Sequence, residues 1–405
     1  MEIGKIDIIS DGTVTSPQGF HAGATSAGIK NGTDKLDLGI LFSETPCVTA
    51  GLFTGSRIKA AAVTWSQQTL KKGKAQAIVV NSGCANAYTG EQGLADAAEM
   101  AALAARGIGL SPEDVLVTST GVTGQPLPLE LIEAGLSQVV LSGDGGHQLA
   151  RAIMTTDTVP KEIALVVGAD GGDFTIGGIA KGSGMIHPDL GTMFGFLTTD
   201  AAVELDFLKS ALRQATDVSF NMITIDGDTS PSDTVLLMAN GLAGNEPIRA
   251  DSPEAEIFQQ ALERVCIHLA KALARDGEGA SRLIEVTVDG AISLVDARSA
   301  AKTVTGSTLV KTAVYGADPN WGRIVMALGR SGVEVAESKI DLLIGDVAVL
   351  KNGKALSFSE EMVRQVFRQS EVPISVNLNL GTGSATAWGC DLTPEYVAIN
   401  SHYMT

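Results

Sequence analysis

The segment KGSGMIHPDLGTMFGFLTTD, residues 181–200, sets Thr192 directly after Gly191 and ahead of an apolar run. A threonine hydroxyl is a weak nucleophile until a base takes its proton. The five histidines, His21, His147, His187, His268 and His402, show no spacing that ties one to Thr192, and the nearest, His187, precedes a proline. Another route needs no side chain. A cut before Thr192 leaves an α-amine on the same residue, and with a pKa of ~7.7–8.0 much of it is a free base near neutral pH. Gly191 suits such a cut, because without Cβ it adopts strained angles and leaves its carbonyl open to the hydroxyl. The same pair also suits a tight turn into a buried strand, MFGFL, and spacing alone favours the turn.

Other motifs invite chemistry and fall short. GTGSAT (381–386) lacks the third glycine of a dinucleotide loop, and no GK[ST] occurs, so both nucleotide-binding patterns fail. DGDTSPSD (226–233) gathers Asp226, Asp228 and Asp233 but lacks the glycine and distal glutamate of a calcium loop. Side-chain-to-backbone turns explain these aspartates at least as well, so no metal is expected. Cys47, Cys84, Cys266 and Cys390 lie far apart, which disfavours a zinc knuckle or a disulfide framework and suits a reducing compartment.

The elements that must position these residues alternate. AQAIVV (75–80) reads as a buried strand closed by an NSG turn, and ADAAEMAALAARG as a helix ending at Gly107. DVLVTST then leads into Thr120-Gly121. Ser252-Pro253 opens a second helix whose Phe258, Leu262, Val265, Leu269 and Leu273 recur on one face, leaving His268 on the surface. That helix breaks at RDGEGA, with Glu278 between two glycines. Beyond it, RLIEVTVDG, DLLIGDVAVLKNGK and ISVNLNL read as strands, the first ending in an Asp-Gly turn and the second a hairpin with an Asn-Gly turn. The texture is α/β, with a soft boundary near residue 280 that separates a core (1–280) from a C-terminal α/β domain (281–405).

Composition narrows the partners. The chain of 405 residues is 44% hydrophobic, enough for a sizeable core, and its net charge of −17 repels nucleic acid and anionic membranes. The N-terminal MEIGKIDIIS carries charges where a signal peptide is apolar, and no run reaches the ~18 apolar residues of a membrane span. A cytoplasmic protein is expected.

Several segments, in order, carry a resemblance: NSGCANAYTG (81–90), TSTGVTG (118–124), AIMTTDTVPK (152–161), DGDTS (226–230), ARDGEGA (274–280), DPNWGRI (318–324) and the C-terminal EYVAINSHYMT, together with the segment around Thr192. Through them the chain resembles the ornithine acetyltransferase (glutamate N-acetyltransferase) family from near Thr15 to Thr405. The resemblance implies a layered sandwich with helices outside a sheet core, as in the self-cleaving aminopeptidases. It implies a cut between Gly191 and Thr192, giving chains 1–191 and 192–405 that assemble as two of each. Thr192 becomes the nucleophile that carries acetyl from N2-acetyl-L-ornithine to L-glutamate, a step of arginine biosynthesis. Thr120 and Gly121 are implied as the oxyanion hole, and Thr158, Lys181, Thr192, Glu278, Asn400 and Thr405 as substrate-binding residues. No metal or organic cofactor is implied. Acetyl-CoA as a second donor, as in bifunctional members, stays open, as does the alternative of a hydrolase that uses water as acceptor. Departures from the family pattern are Gly191, where alanine is common, Asp189, Pro231-Ser232, and FTGSRIKAAAV (53–63).

Overall fold

Apolar runs alternating with helix-forming stretches become two sheets with helices packed on them. The computed structural model describes residues 4–30, 34–187 and 193–402. In chain order the strands begin with β1 Ile6–Ile8, β2 Phe20–Thr25, β3 Leu38–Phe53, β4 Lys74–Cys84 and β5 Val115–Val122. Next come β6 Lys161–Val167, β7 Phe174–Lys181, β8 Phe194–Thr199, β9 Ile223–Thr224 and β10 Thr234–Ala239. The C-terminal part adds β11 Leu283–Ala291, β12 Asp341–Ile344, β13 Val347–Lys351, β14 Lys354–Ala355, β15 Glu371–Asn377 and β16 Gly383–Cys390.

Among the described residues the first sheet has nine strands, in the order β1-β6-β7-β8-β10-β3-β4-β5 with β2 on β3. β8 is interior, antiparallel to β7 and parallel to β10, and all of its residues are buried. Ile78 of β4 and Leu116 of β5 share a buried cluster with Ile179 of β7 and Phe196 of β8, so the two halves of the sheet share an inner core. Neighbouring side chains point outward, as strand alternation requires. Val79 and Val117 pack with Met100 of the helix Gly90–Ile108, while Leu197 and Val235 pack with Leu269 of the helix Ala255–Arg275. The outcome is α/β, with helices outside a sheet core.

The second sheet runs β14-β13-β12-β15-β11-β16-β9, and the helix Leu294–Thr305 lies on β11 and β16. β9 precedes residue 280 yet pairs with β16. Buried side chains of both sheets, Leu165 and Phe174 with Val286 and Ile374, belong to one cluster.

Local boundaries differ from the sequence reading where a glycine was taken as a stop. The first helix runs through Gly107 to Ile108 and ends on Gly109, which has the left-handed φ of 73° suited to a C-cap. The second begins at Ala255 rather than at Pro253, because the Ser252 hydroxyl accepts from Arg249 N–H and not from the helix. β4 continues through Asn81-Ser82-Gly83, since β5 pairs with it to Cys84. Asp289-Gly290 is an irregularity within β11 and not a turn, whereas Asn352-Gly353, both at positive φ, does turn β13 into β14.

Candidate active site

A cavity of about 590 Å³ opens where β5 and β7 end and β8 and β10 begin. Thr120 and Gly121, at the end of β5, form part of its wall. Gly121 has φ 126° and stands opposite Gly83, also at positive φ, in the parallel β4–β5 pair. A Cβ on Gly121 would lie 2.3 Å from the Gly83 carbonyl carbon, so only glycine lets the two backbones meet there.

Lys181 ends β7 opposite Phe194 of β8. Its ammonium lies 5.6 Å from the Phe194 ring centroid and donates to Thr155 Oγ1 at 3.2 Å. Burial lowers its pKa, opposed by Asp157, Asp233 and Glu278. On the far side of β8, Asp233 directly precedes β10 and is 3% exposed; its Oδ2 is buried with no hydrogen-bond partner among the described residues. Burial pushes this carboxyl well up, and Ser230 and Lys181 pull it only part of the way back. The start of β8 is thus flanked by a lysine and a buried acid whose pKa is raised.

Glu278 follows the helix Ala255–Arg275 and reaches the cavity from the opposite side. Its N–H donates to Ser183 O at 2.8 Å, and its carboxylate accepts from Asn400 Nδ2 at 2.7 Å. The helix Pro394–Ser401 delivers Asn400, so the C-terminal segment closes onto the cavity. Gly184 leaves room opposite: a Cβ there would stand 2.4 Å from the Glu278 carboxyl carbon and push that carboxylate aside.

Two polar networks hold these walls. Lys161 donates to Asp157 at 2.6 Å and to Asp276 at 2.5 Å, and Asp157 also accepts from Gly182 N–H at 2.7 Å. Asp226 accepts from Met185 N–H at 2.6 Å, Ile186 N–H at 2.9 Å and the Tyr396 hydroxyl at 3.3 Å. The Asp228 N–H bond to Asp226, at 3.2 Å, is the side-chain turn read from the sequence.

Of the residues singled out in sequence, Thr120, Gly121, Lys181, Glu278 and Asn400 meet at this cavity. Thr158 is not on its wall; its N–H and hydroxyl both donate to Asp276. Gly191, Thr192 and Thr405 lie outside the described residues, while Met193 lines the cavity. Thr155, Thr156 and Asp233 line it as well and were not singled out as binding residues. For the threonines, adjacency to Thr158 in one motif was the available signal. Nothing in sequence marked Asp233 as a cavity acid, since its burial comes from distant strands.

Fold and cavity define an α/β protein with a charged pocket sized for a small polar molecule. The ArgJ family pattern matches residues 21–405. Among curated proteins, the Arginine biosynthesis bifunctional protein ArgJ of Dehalococcoides mccartyi is 53% identical over 402 residues, 99% of each chain. That of Symbiobacterium thermophilum is 52% identical over 397 residues, 97% of this chain and 99% of its own. The crystal structure of Arginine biosynthesis bifunctional protein argJ from Bacillus halodurans is 49% identical, with a TM-score of 0.50, covering 52% of this chain and 98% of that one. This chain belongs to the ArgJ family. Among its described residues, no helix is long and apolar enough to cross a membrane.

Proposed function

We propose that the chain is a glutamate N-acetyltransferase of arginine biosynthesis that cuts itself between Gly191 and Thr192. The observation that carries the reading is the convergence of Thr120, Gly121, Lys181, Glu278 and Asn400, from segments far apart in sequence, on one cavity lined also by Met193. The solved Bacillus halodurans chain is also about the length that residues 192–405 would have.

In this scheme the Thr192 α-amine takes the Oγ proton as Oγ attacks the acetyl carbonyl of N2-acetylornithine. Thr120 and Gly121 stabilise the oxyanion. Collapse breaks the amide C–N bond, the proton leaves on ornithine's α-nitrogen, and acetyl stays as an ester on Thr192. The amine of glutamate then attacks that ester, releases N-acetylglutamate and restores the hydroxyl. Lys181 holds a substrate carboxylate as a point charge, and Glu278, oriented by Asn400, takes an ammonium group. Thr405 completes the proposed binding set, and Thr158 supports it from behind the wall through Asp276. Acetyl-CoA serves as a second donor, in keeping with the word bifunctional in the relatives' names. The proposed assembly is two chains of each kind, in the cytoplasm.

The test is labelled-acetyl transfer. Acetyl-labelled N-acetylornithine plus glutamate should give labelled N-acetylglutamate with parallel-line (ping-pong) kinetics and little ornithine when glutamate is omitted. Ornithine release at the same rate without glutamate would mean a hydrolase.

Gly121→Ala should lower acetyl transfer by ~10²–10³-fold, the usual loss for one oxyanion donor. The added methyl forces β5 away from Gly83, and a thermal melt run beside the rate assay separates that from unfolding. Lys181 sets a pH limit. Its pKa is lowered, so its positive charge is complete only below that lowered value and is lost as pH rises through it. KM for both carboxylate substrates should therefore rise on the alkaline side, and Lys181→Met should raise KM throughout and flatten that limb.

A further inference from the structure

Two loops hydrogen-bonded to the cavity wall carry groups that the scheme above does not use. Tyr88 is 79% exposed and has φ 60°, a left-handed conformation that is strained for a bulky side chain. Neighbouring Asn86, at φ 48°, is fully buried and fixes the loop: its Nδ2 donates to Gly93 O at 2.8 Å and its Oδ1 accepts from Thr89 Oγ1 at 2.8 Å. The loop is also tied to the cavity. Ala85 lines it, and Ala87 O accepts from Gly124 N–H at 2.9 Å, between the lining residues Thr123 and Gln125. A buried network thus holds an exposed tyrosine in a costly conformation on a loop bonded to the cavity wall.

The segment 53–63, which departs from the family pattern, joins the same wall. Ala61 N–H donates to Asn86 O at 3.0 Å, and Ala60 N–H donates to O of Pro231, a cavity-wall residue, at 2.9 Å. Just before these anchors stand Arg57 and Lys59, both exposed. Such a pair stands out on a chain of net charge −17. Two exposed cations and an exposed ring, carried by loops joined through the Ala61–Asn86 bond, supply the chemistry for a ligand with phosphates and a planar base: the ring stacks on the base and the cations meet the phosphates.

We propose that Tyr88, Arg57 and Lys59 form a rim subsite for the phosphorylated adenosine end of acetyl-CoA, whose acetyl end enters the cavity. This rests on the acyltransferase reading and adds the recognition of its second donor. N-acetylornithine, which has neither phosphate nor base, makes no use of the rim.

The test compares the two donors on the complete protein. Tyr88→Gly removes the ring and relieves the left-handed backbone, so the loop keeps its path; it should raise KM for acetyl-CoA about tenfold or more, the worth of one stacked base. Tyr88→Trp should restore it. Arg57→Gln with Lys59→Gln should raise the same KM and weaken its dependence on salt. KM and kcat with N-acetylornithine should stay within about twofold in every variant. The subsite is refuted if acetyl-CoA kinetics do not change, or if both donors suffer alike, which marks a merely structural loop. It is refuted too if the wild-type protein transfers from N-acetylornithine but not from acetyl-CoA, an outcome that leaves the acyltransferase reading standing. Transfer from neither donor would overturn that reading and the subsite with it.

Discussion

Thr192→Ala protein should run as one uncut polypeptide, and its acetyl transfer should fall by about 10⁴-fold or more. The loss is that large because one substitution removes the attacking oxygen and, by preventing the cut, the amine that activates it. Groups that act as a unit fail together, and what remains is the cavity's binding and oxyanion stabilisation. Thr192→Ser keeps both groups, so it should cut and turn over, more slowly. Intact mass shows whether the chain divides at 191/192, and the labelled-acetyl assay gives the rate. An uncut protein with full activity would exclude an α-amine base altogether.

The second large effect is on stability. Lys161→Met should destabilise the protein by about 3–5 kcal/mol, the cost of breaking a buried ion pair from one side. The Lys161 side chain is 1% exposed between Asp157 at 0% and Asp276 at 8%, so its removal strands two carboxylates away from water. The loop around Thr155, the end of β7 and the end of the helix Ala255–Arg275 meet at these residues, so Lys181 and Glu278 lose their setting with it. pH gives the signature. Burial pushes Asp157 up, but Lys161, then Lys181 and the Gly182 N–H, outweigh it and hold its pKa below the usual carboxylate value. Its contribution is therefore present above the unfolded-state pKa and lost as pH falls through the lowered native one. Without Lys161 burial regains ground and the native pKa rises. The deficit should then be greatest near neutral and alkaline pH and shrink as acid neutralises the carboxyl. Urea midpoints across that range, for wild type and variant, check it. A deficit that does not vary with pH would place the damage in packing instead of charge.

The fold was legible where the chain repeats a simple physical demand. Phe258, Leu262, Val265, Leu269 and Leu273 recur at helical spacing, and all are buried on one helix face. Ile374, Val376 and Leu378 alternate along a strand and beyond it and are likewise buried. Glycines were harder to read. Gly107 continues a helix and Gly83 continues a strand, because neighbours in the folded chain decide whether a flexible residue turns or runs on.

For the site, the sequence by itself determined which groups were worth watching: a Gly-Thr junction with no histidine tied to it, and motifs whose order matches a family. Only the tertiary structure decided which of them share a cavity. It brought Lys181, Glu278 and Asn400 to one wall system, turned Thr158 away onto Asp276, and added Asp233 as a buried acid beside β8. The reason lies in the strands. The side chains at the mouth come from strand and helix ends that meet through sheet register and long-range hydrogen bonds, and neither kind of contact leaves a trace in local spacing. Burial, which raises the pKa of Asp233 and weakens the proton hold of Lys181, is likewise a property of the assembled layers.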